Sequence, residues 1–103
     1  MARVFINPGI CGFPTTVEIK KIGKREFSVI LTTECEKLGQ LATQIETLYL
    51  ADAFTQAKDS RLYNAVADCQ IHPACPAPVA IIKALEVEAG AALARDVEIH
   101  FDV

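Results

Sequence analysis

Residues 15–33, Thr15-Thr16-Val17-Glu18-Ile19-Lys20-Lys21-Ile22-Gly23-Lys24-Arg25-Glu26-Phe27-Ser28-Val29-Ile30-Leu31-Thr32-Thr33, decide the fold. Val17 and Ile19 alternate with Glu18 and Lys20. After a polar turn holding Gly23, Phe27, Val29 and Leu31 resume the alternation. Two period-two runs around a short turn specify an antiparallel hairpin with one apolar face. Its tip, Lys20-Lys21-Ile22-Gly23-Lys24-Arg25, is basic. It reads as a solvated turn that discourages edge pairing; docking of an acidic partner is the sharper alternative.

Upstream, Arg3 to Asn7 predicts a first strand, with Val4, Phe5 and Ile6 apolar on both faces as in an interior strand. The loop Pro8-Gly9-Ile10-Cys11-Gly12-Phe13-Pro14 follows. Downstream, Thr33-Glu34-Cys35-Glu36 has the form of a capping box, with Thr33 as N-cap. Behind it Leu38, Leu41, Ala42, Ile45, Leu48 and Tyr49 fall on one helical stripe. A second helix is expected from Asp59 or Ser60 to Cys69, after a link at 50–58 with room for a short helical turn. A third opens at Cys75-Pro76-Ala77-Pro78, where proline is tolerated because the first N–H groups lack partners anyway. Gly90 is the expected stop. Val97, Ile99 and Phe101 then alternate as a last strand, expected beside the first and parallel to it. The fold class is thus α+β: a four-stranded, mostly antiparallel sheet in βββ-ααα-β order, with three helices mainly on one face.

The chain has 103 residues and a formal net charge of −3. That length suits a single domain spanning 1–103, and the apolar half of the composition suffices for a core without covalent staples. The mildly acidic balance argues against a nucleic-acid partner, whose phosphates call for net positive charge. No stretch approaches the ~18 apolar residues of a membrane span, and the first residues lack the apolar run of a signal peptide. The expectation is a cytoplasmic protein whose macromolecular partner is another protein or a second copy of itself. No Ser-His-Asp set, phosphate loop or nucleotide fingerprint is present.

In a reducing compartment thiols stay free, so Cys11, Cys35, Cys69 and Cys75 point to metal, cluster or thiol chemistry. If elements reverse at each connection, all four fall at one end of the sheet. Cys35 and Cys75 sit at helix starts, where the dipole and free N–H groups favour a thiolate. The spacing C-x23-C-x33-C-x5-C lacks the paired knuckles of a zinc ribbon and the C-x2-C-x2-C run of bacterial ferredoxins. Convergence, and not a motif, therefore suggests an iron–sulfur cluster or zinc held by four thiolates, with His72 as an optional ligand. The plain alternative is that free cysteine is among the most buried residue types and simply packs, which suits Cys69 on its apolar stripe.

The segment Cys75-Pro76-Ala77-Pro78-Val79-Ala80-Ile81-Ile82-Lys83-Ala84-Leu85-Glu86 resembles the Cys-Pro-x-Pro helix of TusA-like sulfur-carrier proteins. That resemblance implies Cys75 as a persulfide-bearing nucleophile. In those carriers the motif follows the first strand, whereas here it lies near the C-terminus. The whole chain resembles a family of small uncharacterised proteins of anaerobic microbes, through Gly9-Ile10-Cys11-Gly12-Phe13, the cysteine opening the first helix, and His72-Pro73-Ala74-Cys75-Pro76-Ala77-Pro78. This likeness implies a shared grouping of the residues and no particular activity.

Overall fold

A computed structural model describes residues 1–103. Four strands, β1 (Ala2–Ile6), β2 (Thr15–Lys21), β3 (Glu26–Thr32) and β4 (Thr47–Tyr49), form one antiparallel sheet in the order β1-β2-β3-β4. Three helices, α1 (Glu36–Gln44), α2 (Arg61–Asp68) and α3 (Ala77–Glu88), complete an α+β fold. None of them is long and apolar enough to cross a membrane.

The hairpin forms as its alternation requires, with Val17 opposite Leu31 and Ile19 opposite Val29. These side chains join Ala2, Ile6, Phe27 and Leu48 on the face beneath the helices, where Ile19, Leu41, Leu62, Ile81 and Leu85 are fully buried. The opposite face carries Arg3, Phe5, Glu18, Lys20 and Ile30 and has no layer over it. α3 packs on β1 and β2, and α1 packs on β3.

The fourth strand is not the expected one. It is β4, inside the stretch whose stripe predicted a longer first helix. α1 ends at Gln44, Ile45 caps it in the core, and Leu48 enters the sheet opposite Phe27. Ile45 and Leu48, three residues apart, extend the helical stripe of Leu38 and Leu41, so spacing alone ran the helix on through the turn. Residues 96–103 carry no secondary structure and are exposed. Consequently β1 is an edge strand, and Phe5 is 73% exposed instead of interior. The element order is therefore βββαβαα.

The helix ends are closed by identifiable devices. Ser60, fully buried, is the N-cap of α2, and its hydroxyl accepts the Tyr63 N–H at 3.1 Å. At its other end the Gln70 N–H donates to the Ala67 carbonyl and the Ile71 N–H to that of Val66, the paired bonds of a Schellman motif. α3 ends the same way, through Gly90 to Val87 and Ala91 to Glu86. Gly90 is the stop its position suggested. The 50–58 link holds two 3-10 turns, Leu50–Ala53 and Ala57–Asp59.

Candidate functional site

Three thiol-bearing segments meet at the end of the sheet where β1 and β3 finish and β2 begins. Cys11 closes a 3-10 turn, Gly9–Cys11, bounded by Gly9 at φ 82° and Gly12 at φ 73°. Both angles lie in the left-handed region that glycine adopts without steric cost. The turn is pinned by the Gly12 N–H on the Gly9 carbonyl at 3.1 Å and by the Asn7 side chain on the Gly9 N–H. Cys11 itself is exposed.

Cys35 is the N-cap of α1, and its carbonyl accepts the Gly39 N–H. The capping box expected around Thr33 is not what forms. Thr33 Oγ1 accepts a backbone N–H, but that of Cys35, two residues on, at 3.1 Å. This local hydroxyl turn competes with the N-cap geometry and moves the helix start past Thr33. Cys35 is half-buried against the core.

Cys75 precedes α3, whose N-cap is Pro76. Its own N–H donates to the His72 carbonyl at 3.0 Å, which fixes the turn between α2 and α3. The Ala77 N–H points at its sulfur, as expected of a helix start, and pulls its pKa down. Burial outweighs that donor: the Cys75 thiol is pushed up, and the nearby thiols of Cys11 and Cys35 push it further. The expectation that a helix start would leave Cys75 with a depressed pKa is thus corrected, because desolvation disfavours the thiolate more than one N–H restores it. The same interaction places Cys11 and Cys35 both near Cys75.

Cys69 is not among the thiols that act on Cys75. It caps the C-terminus of α2, is 6% exposed, and its Sγ accepts the Gln44 Nε2 donor at 3.5 Å. The next residue's carbonyl, that of Gln70, accepts the Lys37 Nζ donor at 3.0 Å. Cys69 thus packs in the core against α1. His72 is exposed, and its contribution to the Cys75 turn is its backbone carbonyl. Nowhere do three His, Cys, Asp or Glu side chains come together closely enough to hold one metal ion. A preformed four-thiolate zinc site, with each sulfur about 2.3 Å from the metal, is therefore not supported. A shallow depression of about 250 Å³, lined by Asp52, Thr55, Tyr63, Ile82, Lys83 and Glu86 among others, includes no cysteine.

Sequence reasoning missed the residue that ties two of these segments together. Thr15 is 3% exposed, hydrogen-bonds Thr33 through its hydroxyl at 2.9 Å and donates to the Phe13 carbonyl at 3.1 Å. Its position in phase with Val17 and Ile19 carried the signal, since a threonine on the apolar face of a strand needs a polar partner.

The chain belongs to a family of unknown function, DUF6951, which it matches over residues 2–101. No curated protein and no solved structure matches the chain.

Proposed function

We propose that Cys11, Cys35 and Cys75 form a thiolate site that binds an iron–sulfur cluster, and that the protein is a small cluster-binding module. The observation that carries this reading is the approach of Cys11 and Cys35, from two separate segments, to Cys75 at one end of the sheet. Soft thiolates select clusters, zinc and similar species. A single ion needs all its donors in one coordination shell, whereas a [4Fe–4S] cluster gives each thiolate its own iron and accepts wider spacing. The direction of the Cys75 pKa fits a cationic guest. Burial and neighbouring thiols disfavour the free thiolate, and a bound cation reverses that penalty.

A second reading has one observation of its own. The Ala77 N–H on Cys75 Sγ would stabilise the terminal sulfur of a persulfide, as in the Cys-Pro-x-Pro carriers that this helix resembles. Cys75 would then be a persulfide-bearing nucleophile with Cys35 or Cys11 as its resolving thiol.

Anaerobic purification, followed by metal and sulfide analysis and an absorption spectrum, separates the two. A cluster gives iron, sulfide and a broad band near ~400 nm, all lost in Cys11→Ser, Cys35→Ser and Cys75→Ser and kept in His72→Ala. A carrier gives no metal and a mass increase of one sulfur atom on Cys75. A protein that takes up neither iron nor sulfur, as purified or after reconstitution, defeats both.

A further inference from the structure

The two edges of the sheet are finished differently. At β4 side chains take two of the outward groups: the Tyr49 N–H donates to Asp52 Oδ2 at 2.7 Å, and the Thr47 carbonyl accepts from Arg61 at 2.8 Å. At β1 the outward N–H and C=O groups have no partner from any side chain or loop. An open edge of this kind is a template for another strand.

The same chain carries a strand without a sheet. Val97, Ile99, Phe101 and Val103 alternate with Glu98, His100 and Asp102. All four apolar side chains are more than half exposed, with Ile99 at 83% and Phe101 at 88%. The one side-chain contact within this segment is His100 with Glu98 at 3.5 Å. Alternation of this quality needs one covered face, and within the chain nothing covers it.

We infer that residues 96–103 add to the β1 edge of a second copy of this chain, in a reciprocal strand exchange. Each copy offers one open edge and one unpartnered segment with a strand pattern, so a two-fold exchange pairs both and makes the added segment the new edge. The faces match: the apolar row would continue the half-buried edge marked by Val4, while Glu98 and Asp102 would lie on the face of Arg3. The charges match too. β1 carries Arg3, stacked on Phe5 at 5.0 Å and without a carboxylate within ion-pair distance, and no acid. The segment 96–103 carries Asp96, Glu98 and Asp102. The geometry of departure also suits exchange. Glu88, at the end of α3, lies 3.2 Å from the Met1 amine, so the segment leaves the body near the start of its own β1.

The test is sedimentation of the full chain, of a form ending at Arg95, and of the full chain with Ile99→Pro, each with hydrogen exchange. The expected full-chain mass is twice 11.2 kDa, with protected amides in both β1 and 97–101. The shortened form and Ile99→Pro are expected to be monomers that keep the helical circular dichroism, since the three helices lie outside the segment. A monomeric full chain overturns the inference, whether its 97–101 amides are unprotected or protected against its own β1. A dimer that survives both changes overturns it equally, because its interface then lies elsewhere.

Discussion

The hydroxyls of Thr15 and Thr33 lie 2.9 Å apart, and the surrounding bonds fix which one donates. Thr15 spends its single proton on the Phe13 carbonyl, so Thr33 must donate to Thr15. Thr33 Oγ1 in turn accepts the Cys35 N–H. The result is a directed chain from Cys35 through Thr33 and Thr15 to Phe13, two residues beyond Cys11. It joins the loop that carries one thiol to the helix start that carries another.

Thr15→Val should break that chain at its centre while keeping the strand shape. The loss of two partly buried hydrogen bonds is expected to cost about 1–2 kcal/mol, read as a lower denaturant midpoint at unchanged slope. Thr33→Val should cost a similar amount, and the double variant clearly less than the sum. Additive losses would mean that the two hydroxyls act separately.

Gln70 and Gly90 occupy the same position of two Schellman motifs, at φ 55° and 77°. Glutamine pays a steric cost there that glycine does not. Gln70→Gly is therefore expected to stabilise the protein by about 0.5–1 kcal/mol, the relief of strain exceeding the extra freedom of the unfolded chain. Gly90→Ala should do the reverse by about 1 kcal/mol. An added Cβ at Gly90 meets nothing within 4 Å, so that loss would be purely conformational. Thermal midpoints moving in the same direction for both variants would contradict this account.

The hairpin was legible because Val17, Ile19, Phe27 and Val29 alternate between turn residues, and a local pattern of that kind has one solution. The starts and stops of α2 and α3 were legible for the same reason: Ser60, Gly90 and the Pro76-Ala77-Pro78 run act within one turn of chain. Leu48 was not, because its spacing from Ile45 and Leu41 continues the helical period, and only pairing with Phe27 draws it into the sheet. The alternation at 97–101 predicted a strand beside β1, but that stretch carries no secondary structure, since period two shows which face would be covered and not that a sheet is there to cover it. Counting chain reversals put all four cysteines at one end of the sheet; Cys11 and Cys35 do act on Cys75, though the count did not include β4 between α1 and α2. That count could not see that Cys69, one residue past α2, turns into the core toward Gln44.

Titration should act on stability with opposite signs at the two ends of the pH range. Burial first, and then the Cys11 and Cys35 thiols, push Cys75 up despite the Ala77 N–H. Between the ordinary and the raised value the folded state binds more protons than the unfolded one. The contribution of Cys75 is then complete below the ordinary thiol range and is lost as pH climbs through the raised value. The Lys21 N–H, and then the Met1 amine, hold Glu88 below the usual carboxylate range. Its contribution is present above that range and is lost as pH falls through the lowered value. Denaturant midpoints should fall less steeply on the alkaline side in Cys75→Ala and on the acid side in Glu88→Gln. Slopes equal to those of the unaltered chain would show that neither group is linked to folding.

Cys69 gives the sharpest separation between a three-thiol and a four-thiol site. Its sulfur is buried, faces Gln44 and stands outside the group that acts on Cys75. Its role on this reading is packing, with the small apolar volume that a reduced cysteine supplies. Cys69→Ala is therefore expected to lower stability by about 1 kcal/mol, the loss from a small cavity, and to leave iron and sulfide content after anaerobic reconstitution unchanged. Cys75→Ser is expected to do the converse, with loading lost and stability at neutral pH nearly kept, since the half-buried position tolerates a hydroxyl. Measuring both quantities in both variants matters, because a destabilised Cys69→Ala could shed a cluster by unfolding. Loading is therefore compared well below its thermal midpoint. If Cys69→Ala loses the cluster while folded, Cys69 is a ligand, and the end of α2 must rearrange to bring its sulfur to the other three.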